Sequence, residues 1–414
     1  MKKSTLPMSI ILALSAAACS PDKTPSSNQE SQEKQSSAES VVSKVSVSNP
    51  AGGAALPQLL RFPASAFDDE NAVTKKVTNF PSEWTKDQQG NDVLNVLVTL
   101  DAGEKATIAL SDSAPDAPDV AYTELSVRQG GEWDGKEYKA EGFSFENVDS
   151  FTAPPQLTDH SYYLRYEGPG WENDLVGYRL YLDWRNGTDI FVKTGNEPVL
   201  HQVGQDGYDS YHDLSDWGGD VLKVGKALGL GSFGRMEGDT VMHMQNVDEM
   251  SWALGHDDKL SAGFTVNYDG WDVNGKKLDA SADYEIHAGD PSTTVTVSLS
   301  GTADDLVTGI VKHDNTQYIE LEMNGWGVIA TYGKQSLLGE DDELGMALFY
   351  KVDDISRKFE AEYDYLIQFK PATTMEYQFM AVWPSHPDSP DDESGFTELL
   401  KTKLKALASP VTAG

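Results

Sequence analysis

The run VGYRLYLDWR, residues 176–185, alternates from end to end. Val176, Tyr178, Leu180, Leu182 and Trp184 fall on one side of an extended chain; Arg179, Tyr181, Asp183 and Arg185 fall on the other. A β-strand points successive side chains to opposite faces. The first set therefore belongs in a core. The second sets two guanidiniums, a phenol and a carboxylate in line, which fits either a solvated outer surface or the concave face of a large sheet.

Outward from this run, strand patterns recur at short spacing. Residues 93–100 (VLNVLVTL) and 105–110 (KATIAL) flank Asp101-Ala102-Gly103-Glu104 and are expected to pair as a hairpin. Further strand patterns lie at 122–128, 161–167, 176–193, 264–268, 282–287, 293–300, 318–323, 327–332, 345–352 and 377–382, with Gly, Pro, Asp and Asn clusters between them. Helical spacing shows clearly at 394–407, where Phe396, Leu399, Leu400, Leu404 and Leu407 form a stripe. No period of about 20–50 residues repeats, which argues against propellers and solenoids. The expectation is an all-β fold: a large antiparallel sandwich in one domain over 55–410, capped by a short C-terminal helix.

The beginning of the chain gives an address. Lys2 and Lys3, the apolar run 6–14 and small residues before Cys19 match a lipoprotein signal peptide over 1–18, with Cys19 as the lipidated residue. Cys19 is the only cysteine, so no intramolecular disulfide can form. Residues 19–54 are rich in Ser, Gln, Glu, Lys and Asn and read as a flexible tether. A lipid-anchored protein of a Gram-negative cell envelope, periplasmic or outer-membrane, is expected. The formal net charge of −34 makes nucleic acid and anionic membrane surfaces poor partners. An anionic ligand would depend on local arginines.

Residues 208–234, YDSYHDLSDWGGDVLKVGKALGLGSFG, gather His212, Asp209, Asp213, Asp216, Asp220, Trp217 and Lys223, followed by a glycine-rich run. His212 with Asp213, Asp216 and Asp220 could hold a divalent ion such as Ca²⁺ or Mn²⁺; a hydrogen-bonded His–Asp pair without metal is the plainer alternative. No GxSxG, Walker, HExxH or spaced Cys/His pattern is present. Residues 160–167 add His160, Tyr163 and Arg165, with Trp171 beyond, and aromatic rings of this kind can stack on sugars.

The runs at 158–193, 203–234, 299–312 (LSGTADDLVTGIVK) and 325–350 (GWGVIATYGKQSLLGEDDELGMALFY) resemble the domain of unknown function 4861 family. The resemblance implies a galactose-mutarotase-like β-supersandwich in an exported protein of polysaccharide-degrading bacteria. It also implies an oligosaccharide dehydratase, which eliminates water from a non-reducing-end uronate to leave a 4,5-unsaturated sugar. Such an elimination needs a base for the C5 proton, a cation for the carboxylate and an acid for the leaving oxygen. His212, His160 and Tyr332 have the chemistry for base or acid. Arg165, Arg179, Arg185, Lys223, Lys312 and Lys334 have it for the carboxylate, with Trp171 and Tyr163 as ring platforms. Each has a structural alternative; Arg185, for instance, could pair with Asp183 or Asp189. A polysaccharide lyase and a non-catalytic glycan-binding lipoprotein are the competing expectations.

Overall fold

The computed structural model describes residues 44–208 and 210–414. The signal peptide, Cys19 and most of the tether lie outside the described residues.

The largest element is a nine-stranded antiparallel sheet. Its strands run in the order Ser150–Thr152, Glu249–Asp257, Ser261–Val273, Lys276–His287, Asp290–Ala303, Ala372–Val382, Leu344–Lys351, Trp326–Gly333 and Thr316–Met323. Two five-stranded sheets face it. One holds Tyr122–Glu124, Gly170–Glu172, Val176–Leu180, Thr188–Lys193 and Gly218–Asp220. The other holds Thr240–Met242, Leu230–Glu237, Leu306–Val311, Asp364–Phe369 and Ile355–Glu360. One bridge between Thr188 and Gly229 joins the two smaller sheets edge to edge. Apolar residues of all three sheets meet in one continuous core, so the molecule is an all-β sandwich.

Trp171 is a pin of that core, not a platform for sugar. It is 1% exposed, its indole N–H donates to Thr293 Oγ1 at 2.8 Å, and its ring meets Phe264 at 5.0 Å. Tyr178 does similar work: its hydroxyl donates to the Pro291 carbonyl and accepts from the Ala381 N–H.

The C-terminal helix, Glu393–Ala408, follows the sequence expectation to within a residue at each end. Asp392 caps it by accepting from the Gly395 N–H at 2.8 Å. Phe396, Leu400 and Leu404 bury against the far side of the large sheet. Tyr332 belongs to this contact. It is 3% exposed, packs on Phe396 with centroids 5.5 Å apart, and donates to Glu343 at 3.0 Å. Tyr332 thus serves packing, and it also lines a surface hollow with Glu343 and Lys334.

The N-terminal part corrects two expectations. Residues 93–100 and 105–110 do not pair. Asp92–Val98 lies between Gln58–Pro63 and Ser82–Lys86, whereas Lys105–Ser111 lies between Lys44–Ser48 and Lys76–Val77. The turn carries the chain from one small sheet to the other, because both runs bury an apolar face in the same cluster around Phe62, Leu94 and Ile108. Asn49 holds that crossover, its side-chain N–H₂ donating to Leu100 O at 2.7 Å. The second correction is the boundary: Lys44–Ser48 is a paired strand, so the fold starts inside the stretch expected as tether.

Candidate active site

The alternation of residues 176–185 holds only as far as Leu180. There the chain turns. Asp183 accepts from the Arg185 N–H at 2.8 Å, Asn186 takes a left-handed φ of 47°, and the Tyr181 N–H returns to Gly187 O at 2.9 Å. Leu182 stays in the core, but Trp184, expected beside it, stands 45% exposed. Arg179, Tyr181, Asp183 and Arg185 nevertheless stay together. The Tyr181 ring lies between the two guanidiniums, 4.9 Å from that of Arg179 and 4.1 Å from that of Arg185.

Arg179 is buried, because the segment 200–217 folds over the outer face of its strand and packs Leu200, Val203, Tyr208 and Tyr211 there. Its cross-strand partner is Asp189. The guanidinium donates to Asp189 at 2.7 Å, Asp220 at 2.6 Å, Tyr211 Oη at 2.9 Å and Tyr181 Oη at 3.1 Å. Tyr181 donates in turn to Asp189 at 2.5 Å. Burial, and then the neighbouring Asp189, push the Asp220 carboxyl well above the usual carboxylate range, against the pull of Arg179. Burial also raises the Tyr181 and Tyr211 phenols, with Arg179 opposing, so neither phenol ionises readily.

His212 stands where this network reaches the surface. Its Nε2 is 3.6 Å from Asp220 Oδ2, its side chain is 49% exposed, and its ring lies 4.7 Å from that of Tyr211. From there a row of rings continues: Tyr211 to Tyr208 at 6.5 Å, and Tyr208 to His160 at 5.9 Å. His160 closes the row, with Nδ1 2.7 Å from Asp159. The backbone beside it is strained: His160, Tyr162, Tyr166 and Glu167 all have φ between 40° and 71°. Left-handed conformations of bulky residues concentrate where the surrounding structure holds a site in place.

Arg185 ties the two ends together. It donates to Asp183 at 2.7 Å, Glu167 at 2.9 Å and Asp159 at 2.8 Å. Burial would raise the Glu167 carboxyl, yet Arg185 and Arg179 together hold it below the usual range. Asp159, His160 and Glu167 are, among the described residues, the one group of three with ligand atoms close enough to share a metal ion. The Arg185 guanidinium already occupies the space between the two carboxylates, so this cluster does not fit a metal. Asp213 and Asp216, expected as ligands with His212, are both exposed and form no such group.

Residues 54–413 match the family described as Domain of unknown function (DUF4861). The chain belongs to that family. No curated protein matches the sequence. Two solved structures from Enterococcus faecalis align with this DUF4861 protein at 9% identity. A protein in glycosyl hydrolase family 38 gives a TM-score of 0.36 over 90% of this chain and 47% of its own. An alpha-mannosidase from strain V583 gives 0.39 over 90% and 46%. The DUF4861 chain thus spans about half the length of either.

Several expected site residues of this DUF4861 protein have structural partners elsewhere. Arg165 is buried and forms an ion pair with Glu124, which also accepts from Tyr166; a further guanidinium N–H donates to His201 O at 3.1 Å. Lys312 is held by Glu360 at 2.6 Å and by the Ala361 carbonyl at 2.9 Å. Lys334 pairs with Asp341 at 2.5 Å on the surface. Tyr163 is half-buried against Trp133 and Tyr138. Lys223 is exposed; burial first, and then the Lys223 charge, lowers the pKa of the His313 imidazole. Sequence reasoning assigned no site role to Asp189, Glu167, Asp159, Tyr208 or Tyr211. The available signal was the Arg179–Asp189 spacing across Asn186-Gly187, a dipeptide that favours a tight reversal between paired strands.

Proposed function

We propose that this protein is an enzyme acting on uronic-acid-containing oligosaccharides by β-elimination, and most directly a dehydratase at a non-reducing-end uronate. The observation that supports this reading is the buried Arg179–Asp189–Asp220 network ending on half-exposed His212, with a second imidazole, His160, at the far end of the same aromatic row. In the proposed reaction His212 takes the proton from C5. The C5–H electrons form the C4–C5 double bond, the C4–O bond breaks, and the oxygen leaves as water when the His212 imidazolium returns that proton to it. Arg185 receives the substrate carboxylate in place of Asp159, its half-exposed partner. The protein would do this as a lipoprotein held in the cell envelope through Cys19.

Incubation with uronate-ended oligosaccharides tests the proposal. A rise in absorbance of a conjugated enol ether with loss of one water in the mass spectrum is expected. The same absorbance with release of a shorter sugar would make it a lyase. Binding with neither change would overturn the enzymatic reading.

A further inference from the structure

Trp184 is thrown out of the core by the turn at Asp183–Asn186, and it lands on the rim of a hollow of about 260 Å³. Tyr363 stands on the same rim, 38% exposed. Single exposed aromatics are ordinary, but two on one concavity are a different matter. Both are held in place. The His243 ring meets Trp184 edge-on at 6.5 Å and is itself fixed by the Arg185 carbonyl, 2.5 Å from Nδ1. Lys226 lies 5.7 Å over the Tyr363 ring.

We propose that this hollow is a subsite for a neutral pyranose ring, the sugar that neighbours the acidic one at the catalytic cluster. The inference rests on the reading that the ligand is an oligosaccharide. Three features of the lining define the occupant. Indole and phenol faces offer the apolar surface against which a sugar's C–H face packs. Asp239, Glu362 and Asp364 offer hydroxyl acceptors, and they offset Arg185 and Lys226 in the lining, so the hollow has no surplus of positive charge to hold an anionic ring. Arg185 lines the hollow and also carries the ion pairs of the catalytic cluster, so the two regions share a wall. The size suits one ring better than an extended chain, being at the small end of ligand pockets.

Asp364 adds a tunable group. Its carboxyl accepts from the Leu228 N–H at 2.9 Å, and burial pushes it up to about 7. Near neutral pH it can accept from, or donate to, a sugar hydroxyl.

Methyl glycosides serve as probes: methyl glucoside, xyloside, galactoside and rhamnoside as neutral rings, and methyl glucuronide as the acidic one. Saturation-transfer NMR and tryptophan fluorescence should show at least one neutral glycoside binding to the whole protein at a site from which methyl glucuronide, held at Arg185, does not displace it. Trp184→Ala and Tyr363→Ala should each weaken that binding by roughly tenfold, while His212→Ala should leave it in place. Binding of no neutral glycoside, or binding indifferent to Trp184→Ala, overturns the subsite. The two proposals fail separately. Loss of the elimination reading with Trp184-dependent binding intact leaves a glycan-binding hollow; elimination without it removes the subsite alone.

Discussion

His212 touches the interior through one carboxylate, Asp220, at 3.6 Å. That is beyond hydrogen-bond reach, so the side chain contributes little to folding. His212→Ala should therefore shift stability by less than about 1 kcal/mol in a urea melt while abolishing elimination; an active variant would place the base elsewhere. Asp364 is the opposite case, a buried group whose ionisation bears on stability directly. Its folded pKa of about 7 lies above the ordinary value of 3.8. A raised acid stabilises fully below its unfolded pKa and loses that contribution as pH rises through the folded one. Asp364→Asn keeps an acceptor for Leu228 without the titration. The variant should gain on the natural protein between pH 4 and 8 by on the order of 4 kcal/mol. Parallel pH–stability curves for the two proteins would mean that Asp364 is charged at no cost.

The strand Lys44–Ser48 lies within a stretch whose composition reads as tether, yet all five residues register with Lys105–Ala109, and Val47 is 1% exposed. A chain trimmed to begin at residue 55 should lose roughly 3 kcal/mol or more and expose the edge of Lys105–Ser111, a template for aggregation. An unchanged urea midpoint would show the strand to be dispensable. Local periodicity reveals an element's existence and inward face: the helix Glu393–Ala408 and the inward side of Val176–Leu180 were legible for that reason. Pairing was not. The crossover between Asp92–Val98 and Lys105–Ser111 depends on Asn49, a contact distant in sequence. The candidate site was legible in its Arg179–Tyr181–Arg185 axis and in His212. Its carboxylates were not, because Asp189 and Asp220 reach Arg179 through the pairing of three neighbouring strands, and register between strands is not written in local periodicity.

For the whole molecule, 66 acidic residues oppose 32 basic ones. Surface ion pairs such as Lys276–Asp304 and Lys334–Asp341 weaken as salt rises, but solvent already screens them and they contribute little. Repulsion among the surplus carboxylates acts over every pair within about 10 Å at 0.1 M salt, and far beyond that distance at lower ionic strength. Relief of repulsion should win. The melting temperature should climb from 10 to 300 mM sodium chloride, and tetramethylammonium chloride should act alike, since screening needs no particular cation. EDTA should leave it unchanged, because Arg185 sits where a metal would bind. The same field opposes the approach of an acidic sugar to Arg185. For uronate-ended substrates kcat/KM should therefore rise with salt over this range, the reverse of attractive steering, while the binding of neutral glycosides stays flat. A kcat/KM that falls with salt would mean that the local guanidiniums govern encounter, and that the net charge of the molecule is held away from the path the substrate takes.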